Sequence, residues 1–276
     1  MSTNGTKPSA EWELITPDVA EQLLKMNDNN RKVRVFRVSK YARAINLDDW
    51  GLTGQPIIID WNGKLMDGQH RLMAVVETKA SIWMLVVRGV DPKLMPLIDK
   101  GAARTAGDAF TWAGIQHANM SSAALRNLIA ILQNKKALRD PMTINSITDQ
   151  ELLDAYQLHE TTITWAAPLS ARVASAIKLP PAKYLTAVLL LTLDDCDPES
   201  IQSFTDQLVT GANLAEGSPI LALRNWALNV KATKRSLRKD EVIIAVLKAW
   251  NDVGQDRQRR MMAVKPDELI PAVMPR

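Results

Sequence analysis

The stretch Pro56-Ile57-Ile58-Ile59-Asp60-Trp61-Asn62-Gly63-Lys64-Leu65-Met66-Asp67-Gly68-Gln69-His70-Arg71 decides the fold of the first part of the chain. Three consecutive isoleucines between Pro56 and Asp60 read as a short buried strand. Trp61 to Lys64 is a turn centred on Asn-Gly, and Leu65 and Met66 return as a second short strand. Gly68 to Thr78 then reads as a helix with Leu72, Val75 and Val76 on its apolar side. Ile82 to Val87 is a further strand, ended by Gly89, and Asp91-Pro92 opens a helix through Lys93 to Leu97. Short strands alternating with helices give an α/β domain.

Upstream, Thr16-Pro17-Asp18 carries a helix start: Thr16 is a capping residue, Pro17 suits the first helical position, and Ala20, Leu23 and Leu24 form an apolar face. A second helix is predicted over Ser39 to Asp48, with Tyr41 read as core and Arg43 as a weak ligand candidate. Residues 1–13 read as a flexible tail. Downstream of Asp108 the pattern becomes helical throughout. Thr148-Asp149-Gln150-Glu151 is a capping box opening Leu152 to Leu158. Pro180-Pro181 precedes an apolar helix, and Pro198 to Thr210 stops at Gly211. Ser218-Pro219 opens Ile220 to Val230, and Asp240 to Trp250 closes the series. The expected layout is an α/β N-terminal domain over 14–108 followed by an all-α C-terminal domain over 109–276.

Composition allows one large core or two ordinary ones: 276 residues, 46% hydrophobic and 23% charged. A single cysteine, Cys196, excludes an internal disulfide and points to a reducing, cytoplasmic setting. The polar start, Met1 to Glu13, lacks the apolar stretch of a signal peptide, and the run Tyr184 to Leu193 is about half the length of a membrane span. No membrane partner is therefore expected. The net charge is +4, and Arg224 to Arg260 alone holds ten basic and four acidic residues, leaving the remainder slightly acidic. Within that stretch Lys231, Lys234, Arg235, Arg238 and Lys239 form the nucleic-acid candidate, since clustered Lys and Arg neutralise phosphates. His117 and His159 stand alone, without ligand spacing for a structural metal. Trp112, Trp165, Trp226 and Trp250 read as core.

Asp67 to Arg71 carries the chemistry. A strand-to-helix turn exposes the first backbone N–H groups of the helix, whose dipoles favour an anion. Gly68 lets backbone approach a ligand. Asp67 can cap the helix or help hold Mg²⁺. Gln69 offers donor and acceptor, His70 can donate to phosphate or move a proton, and Arg71 is a fork for phosphate oxygens.

This Asp67-Gly68-Gln69-His70-Arg71 turn is similar to the DGQHR motif of DndB-type proteins of DNA phosphorothioation systems. Its position also resembles that of the GERR motif of ParB proteins and the GCHR motif of sulfiredoxins. Gln55-Pro56-Ile57-Ile58-Ile59 resembles the strand that precedes the motif in ParB. Ile98 to Thr105 resembles a second motif of ParB-like bacterial and phage proteins. The resemblance covers roughly Leu14 to Asp108 and implies a ParB/sulfiredoxin-like fold that takes a nucleoside triphosphate, CTP or ATP, with Mg²⁺. Gln55 and the turn itself would contact it, with Lys100, Arg104 and Thr105 closing over the same anion.

Departures from the family narrow the expectation. Gln69 stands where sulfiredoxin has its catalytic cysteine, which excludes sulfinic-acid repair. No helix-turn-helix follows the domain as in ParB, and no clustered carboxylates support a two-metal nuclease. The expected function is a nucleotide- or phosphate-binding ParB-like module, DNA-associated and of phage or mobile-element type, with a homo-oligomer left open. One alternative is a kinase or NTPase with His70 or Asp67 as general base and Arg71 stabilising phosphoryl charge. Another is a scaffold that has lost nucleotide binding.

Overall fold

β4 (Ile82–Val90) is the spine of the first part of the chain, because it is the strand that both other neighbours lie against. The computed structural model describes residues 7–27, 33–98 and 105–275. β1 (Ser9–Ile15) pairs with β4 antiparallel, Trp12 opposite Leu85, while β2 (Ile57–Asp60) runs parallel to it, Ile57 opposite Val86. β3 (Leu65–Asp67) returns antiparallel to β2, giving the order β1-β4-β2-β3. The chain divides into two compact units, Met1–Ala103 and Arg104–Arg276, so the division falls before Asp108.

β1 corrects the reading of 1–13 as a tail. Glu11 and Glu13 alternate with Trp12 and Leu14, the period of a strand, but the partner that organises them lies some seventy residues on, beyond the reach of local pattern. Glu13 forms an ion pair with Arg88 across the two strands. Three helices join the sheet: α1 (Pro17–Lys25) and α3 (Gln69–Thr78) share its apolar core, and α2 (Val35–Asn46) buries Val38 and Ala42 against Ala74 of α3. Thr16 caps α1 as its sequence requires, accepting from the Val19 N–H at 3.3 Å. The core beneath them is small: Ile15, Ile57, Leu72, Val75, Met84 and Val86 are its centre. Tyr41 packs edge-on against Trp50, ring centroids 6.0 Å apart, at the margin of that core. Pro92–Leu97 is a 3₁₀ turn where a helix is predicted.

The second unit is helical. Its elements are α4 (Ala106–Trp112), α5 (Ala118–Gln133), α6 (Pro141–Ser146), α7 (Asp149–Ile177), α8 (Pro181–Leu193), α9 (Pro198–Thr210), α10 (Pro219–Ala232) and α11 (Glu241–Gly254). Helix starts follow side-chain chemistry. Thr148 and Glu151 form a reciprocal capping box, Asp197 accepts from Ser200 N at 2.8 Å, and Ser218 accepts from Leu221 N at 3.4 Å. α9 ends at Gly211 with φ 69°. α7 continues through Pro168 well beyond the predicted end at Leu158, because its apolar side stays packed where a proline alone would break an exposed helix. α8 is buried from Tyr184 to Leu191, and α11 buries Val242 to Leu247 and Trp250.

Of the four tryptophans read as core, Trp250 is wholly buried, and Trp165 and Trp226 are partly buried against the core. Trp112 is 78% exposed, since it ends the short α4 and Phe110 takes the inward position instead. Cys196 is buried, its Sγ 3.7 Å from the Met274 carbonyl. No helix among the described residues is long and apolar enough to cross a membrane.

Candidate functional site

The β3–α3 turn forms as the sequence requires, but its side chains face inward. Gly68 is the residue before α3 and has φ 107°, a backbone conformation glycine adopts without strain. A Cβ there would lie 2.3 Å from Ile57 Cδ1 and 3.4 Å from Ile57 Cα. The glycine therefore serves the close approach of the turn to β2, a packing reason in place of the expected approach to a ligand. Gly68, as the residue before α3, offers no side chain to cap it.

Each motif residue ties a different element to this turn. Arg71 is buried, and its guanidinium Nη1 donates to the Gln55 carbonyl while Nη2 donates to the Pro56 carbonyl at 2.8 Å and to Asp67 Oδ2 at 3.1 Å. Its fork thus clamps the segment entering β2, where a phosphate fork was expected. Gln55 contributes its main-chain oxygen to that clamp, and its side chain is exposed. His70 Nε2 accepts from the Arg34 backbone N–H at 3.0 Å. Accepting requires a lone pair on Nε2, so the ring proton sits on Nδ1 and the imidazole is neutral in this arrangement. Gln69 Oε1 accepts from Asn27 Nδ2 at 3.1 Å. The turn therefore joins the end of α1, the start of α2 and the lead into β2.

Asp67 directs Oδ2 at Arg71, and among the described residues no three His, Cys, Asp or Glu side chains converge as metal ligands. Lys100 and Arg104 lie outside the described residues. Thr105 belongs to the second unit, where it forms a reciprocal capping box with Asp108 at the start of α4.

A cationic element beside the turn escaped the sequence reading. From Arg31 to Leu47 there are six basic residues, Arg31, Lys32, Arg34, Arg37, Lys40 and Arg43, and no acid. The sum of charges hides it, because the chain outside Arg224 to Arg260 comes out slightly negative. A window of fifteen residues would have exposed it. Arg34 precedes α2 and the next three basic residues follow at intervals of three along it. The His70–Arg34 bond holds the start of this helix against the start of α3. Arg34 is exposed and Arg37 half-buried, and neither has an ion pair among the described residues.

In the second unit the basic stretch divides. Arg235 reaches Glu241 at 2.5 Å and Arg238 reaches Asp240 at 3.2 Å, with Arg139 on the other Asp240 oxygen at 2.7 Å. Asp240 and Glu241 are buried at 1% and 3% exposure, so these arginines compensate carboxylates taken out of water. Lys183 donates to the Arg238 carbonyl at 3.0 Å. Burial pushes its ammonium below the usual lysine range, against the opposing pull of Asp240 and Glu241. Lys231, Lys234 and Lys239 remain exposed. Comparison with protein-family models, curated proteins and solved structures gives no match.

Proposed function

We propose that the N-terminal unit is a ParB-like phosphate-binding module that engages the backbone of DNA through the start of α2. The observation that carries this reading is the His70–Arg34 hydrogen bond, which fixes the start of an acid-free basic helix with Arg34 itself exposed. Arg34, which is exposed, and Arg37, which is half-buried, supply donors for phosphate oxygens. Arg71, Gly68 and Gln69 act beneath this surface by holding its parts in register. The phosphates of a nucleoside triphosphate present the same chemistry and are the competing ligand. His70 spends its Nε2 lone pair on Arg34, so no proton-transfer step is assigned to it.

The test is fluorescence anisotropy with a labelled DNA duplex over a series of salt concentrations, on the wild type and the Arg34→Ala/Arg37→Ala double variant. Affinity should fall steeply with salt, and the log–log slope should flatten by about 1–2 in the variant, near 0.9 per lost phosphate contact. Binding confined to nucleoside triphosphates, seen as thermal stabilisation without DNA affinity, would assign the site to a nucleotide. An unchanged slope in the variant would remove α2 from the interface.

A further inference from the structure

The chain has three phenylalanines, and two of them behave as core residues. Phe110 and Phe204 are exposed by 0% and 2%, and each packs edge-on against another ring, Tyr156 and Trp250. Phe36 departs from both. It is 36% exposed, and among the described residues its ring has no aromatic partner. It lies in the first turn of α2, between Arg34 and Arg37. Val33 and Val35 flank Arg34 and are exposed as well, by 36% and 59%.

The helix does not need this apolar cluster for its own packing. Val38 and Ala42 are the side chains that seat α2, against Ala74 of α3. Residues four and seven positions apart share a helix face, so Phe36 stands in line with Lys40 and Arg43, roughly opposite Val38. An aromatic ring is thus set among cations on the outer side of the helix, with Arg34 and Arg37 beside it.

Contact with the backbone of a closed duplex uses the cations alone, because paired bases keep their faces stacked inside. An exposed ring beside two guanidinium groups matches a ligand that offers phosphates and unstacked bases together. A single strand is such a ligand: its phosphates meet the cations and a base lies on the ring, whatever the sequence. A lipid surface also joins anions to apolar matter, but it takes an apolar face that runs along the helix. In α2 that face is occupied by α3, and the exposed apolar residues are confined to one end.

We infer that the start of α2 takes single-stranded DNA, with one base stacked on Phe36 and Arg34 and Arg37 on the flanking phosphates. The inference rests on the phosphate-binding reading of the same helix and adds the form of DNA that it holds.

Anisotropy with a labelled oligothymidylate, and with a labelled duplex of the same length at the same salt, separates the two claims. The wild type should bind the single strand about tenfold tighter than the duplex, the gain from one stacked base. Phe36→Ala and Phe36→Leu should each lose about tenfold on the single strand and leave the duplex within about twofold. Leucine keeps the apolar bulk without the π face, and it decides the matter if thermal melting shows the alanine variant unfolded. Phe36→Trp should keep the single-strand affinity. Equal wild-type affinity for both forms overturns the inference, as does a Phe36→Leu variant that binds the single strand as the wild type does. In either case salt-dependent duplex binding leaves the phosphate reading standing. A protein that binds neither form overturns the DNA reading with it, and sedimentation with phosphatidylserine vesicles would then assign the helix to a lipid surface.

Discussion

The two units solve the same problem with opposite means. In the helical unit a broad apolar core, from Leu125 through Leu189 to Trp250, gathers its helices, and among the described residues buried charge is confined to Asp240, Glu241 and Asp252, just before and within α11. In the N-terminal unit the apolar core is too small to gather three helices and a four-stranded sheet unaided. There Gln69, His70 and Arg71, exposed by 4%, 8% and 7%, act as tethers to segments distant in sequence. A small core gains little from each further apolar contact, so directional bonds to otherwise unpaired carbonyls and N–H groups take a larger share of the holding. A motif rich in polar residues can thus be structural for the same reason that it resembles a ligand site.

Four substitutions break or sharpen that contrast, the first belonging to the apolar side of it. Phe204→Ala in the helical unit, where the ring lies 5.6 Å from Trp250 edge-to-face, should cost about 3–5 kcal/mol. Calorimetry should show only the helical transition move. Gly68→Ala should destabilise the N-terminal unit by about 2–4 kcal/mol, combining backbone strain with a clash against Ile57. Hydrogen exchange should then quicken in β2, β3 and α3 and leave α8 and α11 protected.

Arg71→Lys comes next, at about 1–3 kcal/mol, because an ammonium cannot span two successive carbonyls and Asp67 at once. Urea midpoints measure it, and a loss near zero would show that the clamp is ornamental. The smallest effect is a pH dependence in the helical unit. Burial holds the His159 imidazole below its ordinary 6.5. Between that lowered value and 6.5 the unfolded chain binds more protons than the folded one, so stability falls as pH drops through this window. His159→Gln should flatten the slope there and leave the N-terminal transition unmoved.

Much of this layout was legible in the residues. Helix starts with a Ser, Thr or Asp cap followed by proline or glutamate fell within a residue or two of their predicted places, as at Thr16, Thr148 and Ser218. Those signals are local, and so is the physics behind them. β1 was missed because a strand's stability comes from its partner, and β4 is remote in sequence. The direction of Arg71 was equally illegible: composition places a guanidinium at the turn, but only the packed chain shows that the Gln55 and Pro56 carbonyls reach it first. Lys231, Lys234, Arg235, Arg238 and Lys239 looked alike in sequence, and burial of Asp240 and Glu241 is what separates the arginines from the lysines.

The contact between Gly68 and Ile57 has a consequence for how this chain can vary through descent. The nearest atom to the place a Cβ would occupy at position 68 is the terminal Cδ1 of Ile57, at 2.3 Å, with the Ile57 Cα behind it at 3.4 Å. Valine at 57 lacks that Cδ1 and would remove the closest overlap. It would leave the φ of 107° in place, so an alanine at 68 stays strained on either background and descent can relieve the crowding at this turn without freeing the position from glycine.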